Sequence, residues 1–269
     1  MEPLVKSPVF LMNVPRSGST LLRCILDSHP LIHSPDELHL THLEVNITAP
    51  FAELTMKLLG LESRELEHIL WDRILHRELT RSGKQIIVEK DPRDLLQWRR
   101  FREAWPEARF IFLIRHPGTL YASIEDSRSR AKDLAAKLEK APATGEHADL
   151  YTATVNLSAS NPTPTLDIVL DRIEQLEEAR RNLAGLTIRY EDLVSDAEQV
   201  TRDICHYLNV PWDGRMLDYG ALEHGSMILK ELNYSDKITV GRIVTPRAVL
   251  TVEEMPEQLI PACRTWGYI

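Results

Sequence analysis

Three cysteines in 269 residues, Cys24, Cys205 and Cys263, are too few and too widely spaced for a disulfide framework or for the paired spacings of a zinc site. They are expected to be reduced thiols that pack as small apolar groups. No apolar run approaches the roughly 20 residues that a membrane-crossing helix needs, and the run from Phe110 to Ile114 has the length of a buried strand. Basic side chains are in deficit, 32 against 40 acidic ones for a net charge of -8, which argues against partners such as nucleic acid or an anionic membrane surface while leaving room for a local basic pocket. Internal repeats are lacking. The opening Met-Glu-Pro-Leu-Val-Lys-Ser-Pro has no basic stretch, apolar core or small-residue cleavage site, so it does not read as a secretory signal and the expected location is cytoplasmic. With 43% hydrophobic and 27% charged residues, disorder and collagen-like repeats are excluded, and the length suits one core with a smaller insertion.

What is present alternates. Val9 to Val14, Gln85 to Val88, Arg109 to Ile114 and Leu186 to Tyr190 are short apolar segments of strand length, and amphipathic patterns lie between them. Leu66, Ile69, Leu70, Ile74 and Leu75 predict a helix over 63–79, Pro92 introduces another over 94–104, and Val194, Ala197, Val200, Ile204 and Leu208 predict a third over 192–208. The order predicts an α/β fold, a single domain over 1–269 whose mostly parallel central sheet is flanked by helices. Residues 128–165 break the pattern with a charged run and two proline-rich stretches before helical spacing resumes at 166–183, so 128–183 is expected to be a helical lid or substrate-facing insertion.

The turn after the first strand, Pro15-Arg16-Ser17-Gly18-Ser19-Thr20, carries the most chemistry. Backbone N–H groups at a helix start lack intrahelical partners, and the helix dipole adds positive charge there. Gly18 allows close backbone approach, Ser17, Ser19 and Thr20 add hydroxyls, and Arg16 adds a fixed charge. By itself the turn fits an anion cradle and a plain helix cap equally well. It lacks the Gly-Lys pair of the nucleoside triphosphate loop.

With the strand before it, this turn resembles the Pro-Arg-Ser-Gly-Ser/Thr-Thr-Leu segment of the sulfotransferases that use 3'-phosphoadenosine 5'-phosphosulfate (PAPS), which binds the 5'-phosphosulfate. The resemblance extends from about Val9 to about Arg247. Arg115 at the end of a strand and Ser123 eight residues later are similar to the family's pair for the 3'-phosphate. Ser34-Pro35-Asp36-Glu37-Leu38-His39-Leu40 resembles the segment carrying the catalytic glutamate in tyrosylprotein sulfotransferases, and still more the Ser-Pro-Pro-Glu-Leu-His-Leu of bacterial polyketide sulfotransferase domains. Glu89-Lys90-Asp91-Pro92 is similar to the family's Lys-Asp/Thr-Pro, and Arg189-Tyr190-Glu191-Asp192-Leu193 to the segment whose tyrosine lies near the adenosine. Ser235-Asp236-Lys237 stands where the loop over the nucleotide's 3' side is expected; it departs from the Lys-Gly-x-x-Gly-Asp-Trp of the cytosolic enzymes, which places the chain nearer the tyrosylprotein and polyketide branch.

The resemblance implies PAPS as cosubstrate, no metal, and a small-molecule or carrier-protein-bound hydroxyl as acceptor. Peptide tyrosine sulfation and a divergent ATP-dependent nucleotide kinase are the alternatives. Sulfuryl transfer needs charge stabilisation at the leaving phosphate and removal of the acceptor's proton, by analogy with phosphoryl transfer. Arg16 and Lys90 are the cationic candidates. Glu37, between a proline-bounded turn and Leu38, is the expected general base, with His39 as competitor because an imidazole titrates near neutral pH unaided. Asp36 reads as a turn residue, His29-Pro30 as a helix closure, and the five tryptophans as core.

Overall fold

The computed structural model describes residues 2–143, 148–221, 243 and 249–269. Strand β1 (Val9–Asn13) is wholly buried and leads through the turn into helix α1 (Ser19–Asp27). A two-residue strand β2 (Ile32–His33) follows, then α2 (Pro50–Leu58), α3 (Ser63–Ser82), β3 (Ile86–Glu89), a 3-10 turn at Asp94–Gln97, α4 (Trp98–Ala104) and β4 (Arg109–Ile114). The chain continues through α5 (Pro117–Lys140), α6 (Ala148–Ser160), α7 (Thr165–Asn182), β5 (Gly185–Arg189), α8 (Tyr190–Ser195) and α9 (Ala197–Leu208), and α10 (Ile260–Thr265) lies near its end.

All strand pairs are parallel, in the order β2-β3-β1-β4-β5, which bears out the expected α/β sheet. The strands alternate between the sheet's two faces, as a period of two requires. Phe10 and Met12 join Trp71, Phe101, Trp105, Phe110, Phe112 and Leu176 on one side, while Val9 and Leu11 join Leu22, Ile25, Val88, Ile111, Ile188 and Ile204 on the other. Phe10 stacks on Phe101 with centroids 4.2 Å apart, within the range where aromatic pairs attract beyond their buried area. Cys24, Cys205 and Cys263 are free and buried, and Trp71, Trp98, Trp105 and Trp266 are core residues.

Three expectations change. The helix predicted over 192–208 is two: α8 ends at Ser195, and Asp196, with φ -142°, starts α9 by accepting the Gln199 N–H at 3.1 Å. The supposedly irregular start of 128–165 is a continuation of α5 to Lys140, followed by α6. Of the segment 128–183, α7 buries Val169, Ile173, Leu176 and Ala179 in the core, whereas α6 buries Val155 alone. The short β2 had no sequence signal, whereas α2, which buries none of its residues, opens on Pro50, a helix-start signal.

Because β1 connects onward to strands on one side of it and β4 lies on the other, the order reverses between β1 and β4. Open parallel sheets bind ligands at the carboxyl ends of strands beside such a reversal. Arg16 follows β1, Arg115 follows β4, and Glu89 and Lys90 end β3, which pairs with β1 on its other side.

Candidate active site

At the strand reversal, three distant segments interlock. The β1–α1 turn is tight, closed by the Ser17 N–H to the Val14 carbonyl at 3.2 Å, and it holds Arg16 at φ 70° and Gly18 at φ 96°. A non-glycine residue with positive φ is uncommon and marks a backbone shaped for a purpose. Arg115 donates from Nη1 to the Arg16 carbonyl at 2.7 Å, and its guanidinium lies 4.6 Å from the centre of the Tyr190 ring. That ring rests on Gly18: a Cβ there would stand 2.3 Å from Tyr190 Cδ2. Gly18→Ala is therefore blocked twice, by φ and by the ring, and is expected to lower stability by about 2 kcal/mol or more, read by urea denaturation.

The turn's electrostatics suit an anion. Burial pushes the Arg16 guanidinium down from its ordinary range, and the neighbouring charges of Arg130 and Arg115 push it further, with Asp126 opposing. Converging cations cost free energy that a bound anion would recover. Ser17 Oγ is buried with no hydrogen-bond partner among the described residues, a hydroxyl available to a ligand oxygen. Ser19 is buried and Thr20 half-buried at the first turn of α1. Ser123 lies half-buried on α5, and Arg130, two turns further along, is a residue that sequence reasoning missed; its spacing of seven from Ser123 was the available signal. His116 caps α5, accepting the Thr119 N–H at 3.3 Å, with Pro117 in the first turn as expected. Ser235 and Lys237 lie outside the described residues.

The second half of the site is laced onto the end of β3. Lys90, 2% exposed, donates from Nζ to Glu37 Oε1. Nδ1 of His39 lies 2.7 Å from Oδ2 of the buried Asp91, and His39 is a second strained residue, at φ 52°. The loop bearing Glu37 and His39 is fixed at further points. Ser34 Oγ donates to the Val88 carbonyl at 3.0 Å, Asp27 accepts the Ser34 N–H at 3.0 Å, and Glu89 Oε1 accepts the Leu38 N–H at 3.2 Å. Buried Arg23 reaches the Ser34 carbonyl and pairs with Asp36 at 3.1 Å, so Asp36 is more than a turn residue; it anchors the loop to α1. Sequence reasoning missed Arg23 and Asp27, which reach from α1 across β2 to the following loop, and Asp91, whose partner His39 is 52 residues away.

Burial alone would raise the Asp91 carboxyl, but the His39 hydrogen bond, the Arg93 N–H and the Arg93 charge outweigh it and hold Asp91 at about 2. Its folded value thus lies below the ordinary aspartate value of about 3.9. Asp91 accordingly adds stability at neutral pH that is lost as the pH falls below about 4 and through about 2. Glu37, His39 and Asp91 also place three potential metal-ligating atoms within 4.8 Å of one another. Lys90 and Arg93 already engage those carboxylates, so side-chain cations supply the positive charge there.

An arginine-lined turn lies beside a paired lysine and glutamate at adjacent strand ends of a parallel α/β sheet. The family model described as the sulfotransferase family matches residues 8–214, and the chain belongs to that family. It is 23% identical to Protein-tyrosine sulfotransferase A of Caenorhabditis elegans over 97% of this chain and 67% of that protein. It is 24% identical to the nodulation protein NoeE of Sinorhizobium fredii, over 91% of this chain and 61% of that one. The chain thus spans about two thirds of the length of these relatives. The fold matches the sulfotransferase domain from the curacin biosynthetic pathway with a TM-score of 0.65 at 18% identity, covering 98% of each chain. It matches the sulfotransferase domain of the Synechococcus PCC 7002 olefin synthase with a TM-score of 0.56 at 22% identity, covering 100% of this chain and 98% of that one. No described helix is long and apolar enough to cross a membrane.

Proposed function

We propose that this protein transfers the sulfuryl group of PAPS to a hydroxyl of a small-molecule or carrier-bound acceptor, leaving adenosine 3',5'-bisphosphate and a sulfate ester. The observation that carries the reading is the side-by-side placement of the Arg16–Arg115–Tyr190 assembly and the Lys90–Glu37 pair at the ends of β4, β1 and β3. Membership of the sulfotransferase family supports it.

PAPS supplies a sulfuryl group carried on a phosphate that leaves readily. In this reading the turn's N–H groups, Ser17, Ser19, Thr20 and Arg16 hold the 5' end, and Arg115 with Ser123 takes the 3'-phosphate. Tyr190 presents its ring to the adenosine. A lysine ammonium has three donors. Lys90 uses one on Glu37, which leaves two for charge developing on the leaving oxygen. Glu37 takes the proton from the acceptor hydroxyl, held in place by Lys90 and by the bonds to its loop. A second assignment has its own support: donation from His39 Nδ1 to buried Asp91 would leave Nε2 as the basic nitrogen, the arrangement of an oriented His–Asp pair. The stretches 43–79 and 128–165 are proposed to shape the acceptor's pocket.

Calorimetric titration with adenosine 3',5'-bisphosphate, ADP and ATP, without added metal, tests the donor. The expected result is a clear preference for the bisphosphate. Preference for ATP, or a requirement for magnesium, overturns the reading in favour of a nucleotide kinase.

A further inference from the structure

Two buried carboxyl groups at and just after the end of β3 have no role in the chemistry above. Glu89, the last residue of β3, is 0% exposed, and Asp94, in the 3-10 turn that follows, is 1% exposed. Glu89 Oε1 accepts the Leu38 N–H. Among the described residues, Glu89 Oε2 and both oxygens of Asp94 lack a hydrogen-bond partner of good geometry, although the Asp91 N–H stands near enough to Asp94 to favour its charged form. An ionised carboxylate stripped of water needs several donors or a dedicated counter-ion. Three such oxygens on two buried carboxyls fall short of that need, and protonation removes the need by removing the charge.

The surrounding charges agree. The groups facing Glu89 are Asp91, Lys90 and Glu37, and those facing Asp94 are Glu89, Asp91 and Glu37, with His39 and Arg93 engaged by Asp91 beyond them. Lys90 is the one cation in these two sets, and it is paired with Glu37. Burial, aided by Asp91 and Glu37, pushes Glu89 up to about 8 against the bond from Leu38 and the Lys90 charge. Burial, then Glu89 and Asp91, raises Asp94 well above its ordinary range.

We propose that Glu89 and Asp94 are held as a pair of neutral acids under the site, and that Glu89 in this form is a positioning residue for Glu37. Its Oε1 fixes the peptide between Glu37 and Leu38. Its neutrality leaves the Lys90–Glu37 and Arg93–Asp91 pairs balanced, so that Lys90 is not drawn down toward a second carboxylate. Loss of a proton from Glu89 would place a new negative charge within reach of Lys90, competing with the proposed polyanion for it. The kinetic half of this inference rests on the sulfotransferase reading; the protonation half does not.

Two readouts separate them. Infrared spectra of the full chain, with and without carbon-13-labelled glutamate, are expected to show protonated-carboxyl stretches at pH 7, one of them moved by the label and lost as the pH rises past about 8. Glu89→Gln should abolish that band. Spectra without any protonated carboxyl at pH 7 overturn the inference whatever the activity, and they need no variant to fold. In turnover, kcat of the wild type is expected to fall about tenfold between pH 7 and one unit above the pKa of the pair, the slope of a single ionisation. Glu89→Gln, which preserves the acceptor for Leu38, should retain kcat at pH 7 within about fivefold and flatten that decline, whereas Glu89→Ala should lower kcat at every pH with nucleotide affinity little changed. A folded Glu89→Gln protein that loses more than about a hundredfold at pH 7 would show that an ionised Glu89 is required and sink the proposal. The bands without any sulfuryl transfer would count against the function and in favour of the acid pair.

Discussion

Glu37→Gln is expected to lower kcat by about 10²- to 10⁴-fold, the usual worth of a positioned general base, while the affinity for adenosine 3',5'-bisphosphate changes little. The amide keeps the shape of the carboxylate and can still accept from Lys90, so the loop geometry should survive. It cannot take a proton. The comparison that decides the assignment is His39→Ala. Because His39 is about half exposed and linked to Asp91, its loss removes an orienting hydrogen bond without opening the core. A modest fall, about tenfold or less, is expected if Glu37 is the base. A large fall for His39→Ala with a small one for Glu37→Gln would transfer the role to the His39–Asp91 pair. Steady-state kinetics on both variants, with nucleotide binding measured separately, distinguishes the two outcomes.

Arg115→Ala carries the second large effect. Hydrogen bonds to charged groups are worth about 1.5–3 kcal/mol each, so removing this guanidinium is expected to weaken adenosine 3',5'-bisphosphate binding by about 10- to 100-fold. Part of that loss is not specific to the 3'-phosphate. Arg115 also secures the Arg16 carbonyl and lies against Tyr190, so AMP should lose some affinity as the turn loosens. The diagnostic quantity is the difference between the two nucleotides. Discrimination between them should nearly vanish in the variant, and equal losses for both would contradict the assignment of Arg115 to the 3'-phosphate.

Most of the scaffold was legible because burial leaves a pattern. Arg109 to Ile114 reads as a strand and is one, and β1, β3 and β5 fall within a residue or so of their apolar runs. The turn was legible because its residue types are costly anywhere else: a glycine with positive φ, flanked by an arginine and hydroxyls. Surface helices were less legible. The end of α5 does carry a narrow helical face, Ala131, Leu134, Ala135 and Leu138, but the charged run around it and the proline-rich stretches after it hid the helix. The break at Asp196 was hidden because the apolar positions of α8 and α9 happen to keep step across it.

The candidate site divides the same way. Local motifs pointed to Arg16, Glu37, Lys90 and Arg115 one at a time. Their partners were not readable, since Arg23 with Asp36, Asp91 with His39, and Glu89 with the Leu38 N–H each join segments that only the folded sheet brings together. Arg130 was missed because an arginine on an exposed helix is ordinarily a solvated one; its spacing of seven from Ser123 gains weight only with its approach to Arg16.

The seating of Tyr190 on Gly18, with Arg115 beside it, has a consequence for how the chain folds. Those three residues arrive from early, middle and late parts of the sequence, so the proposed nucleotide pocket is built from contacts of long sequence separation, the kind that form late. A partly folded chain holding only β1, α1 and β3 would have the turn but not its cover. Nucleotide would therefore bind the completed domain and add its free energy to the native state alone. Its presence should raise the melting temperature of the whole unit in a single transition, making ligand-dependent melting a report on whether the last strand and helix have docked.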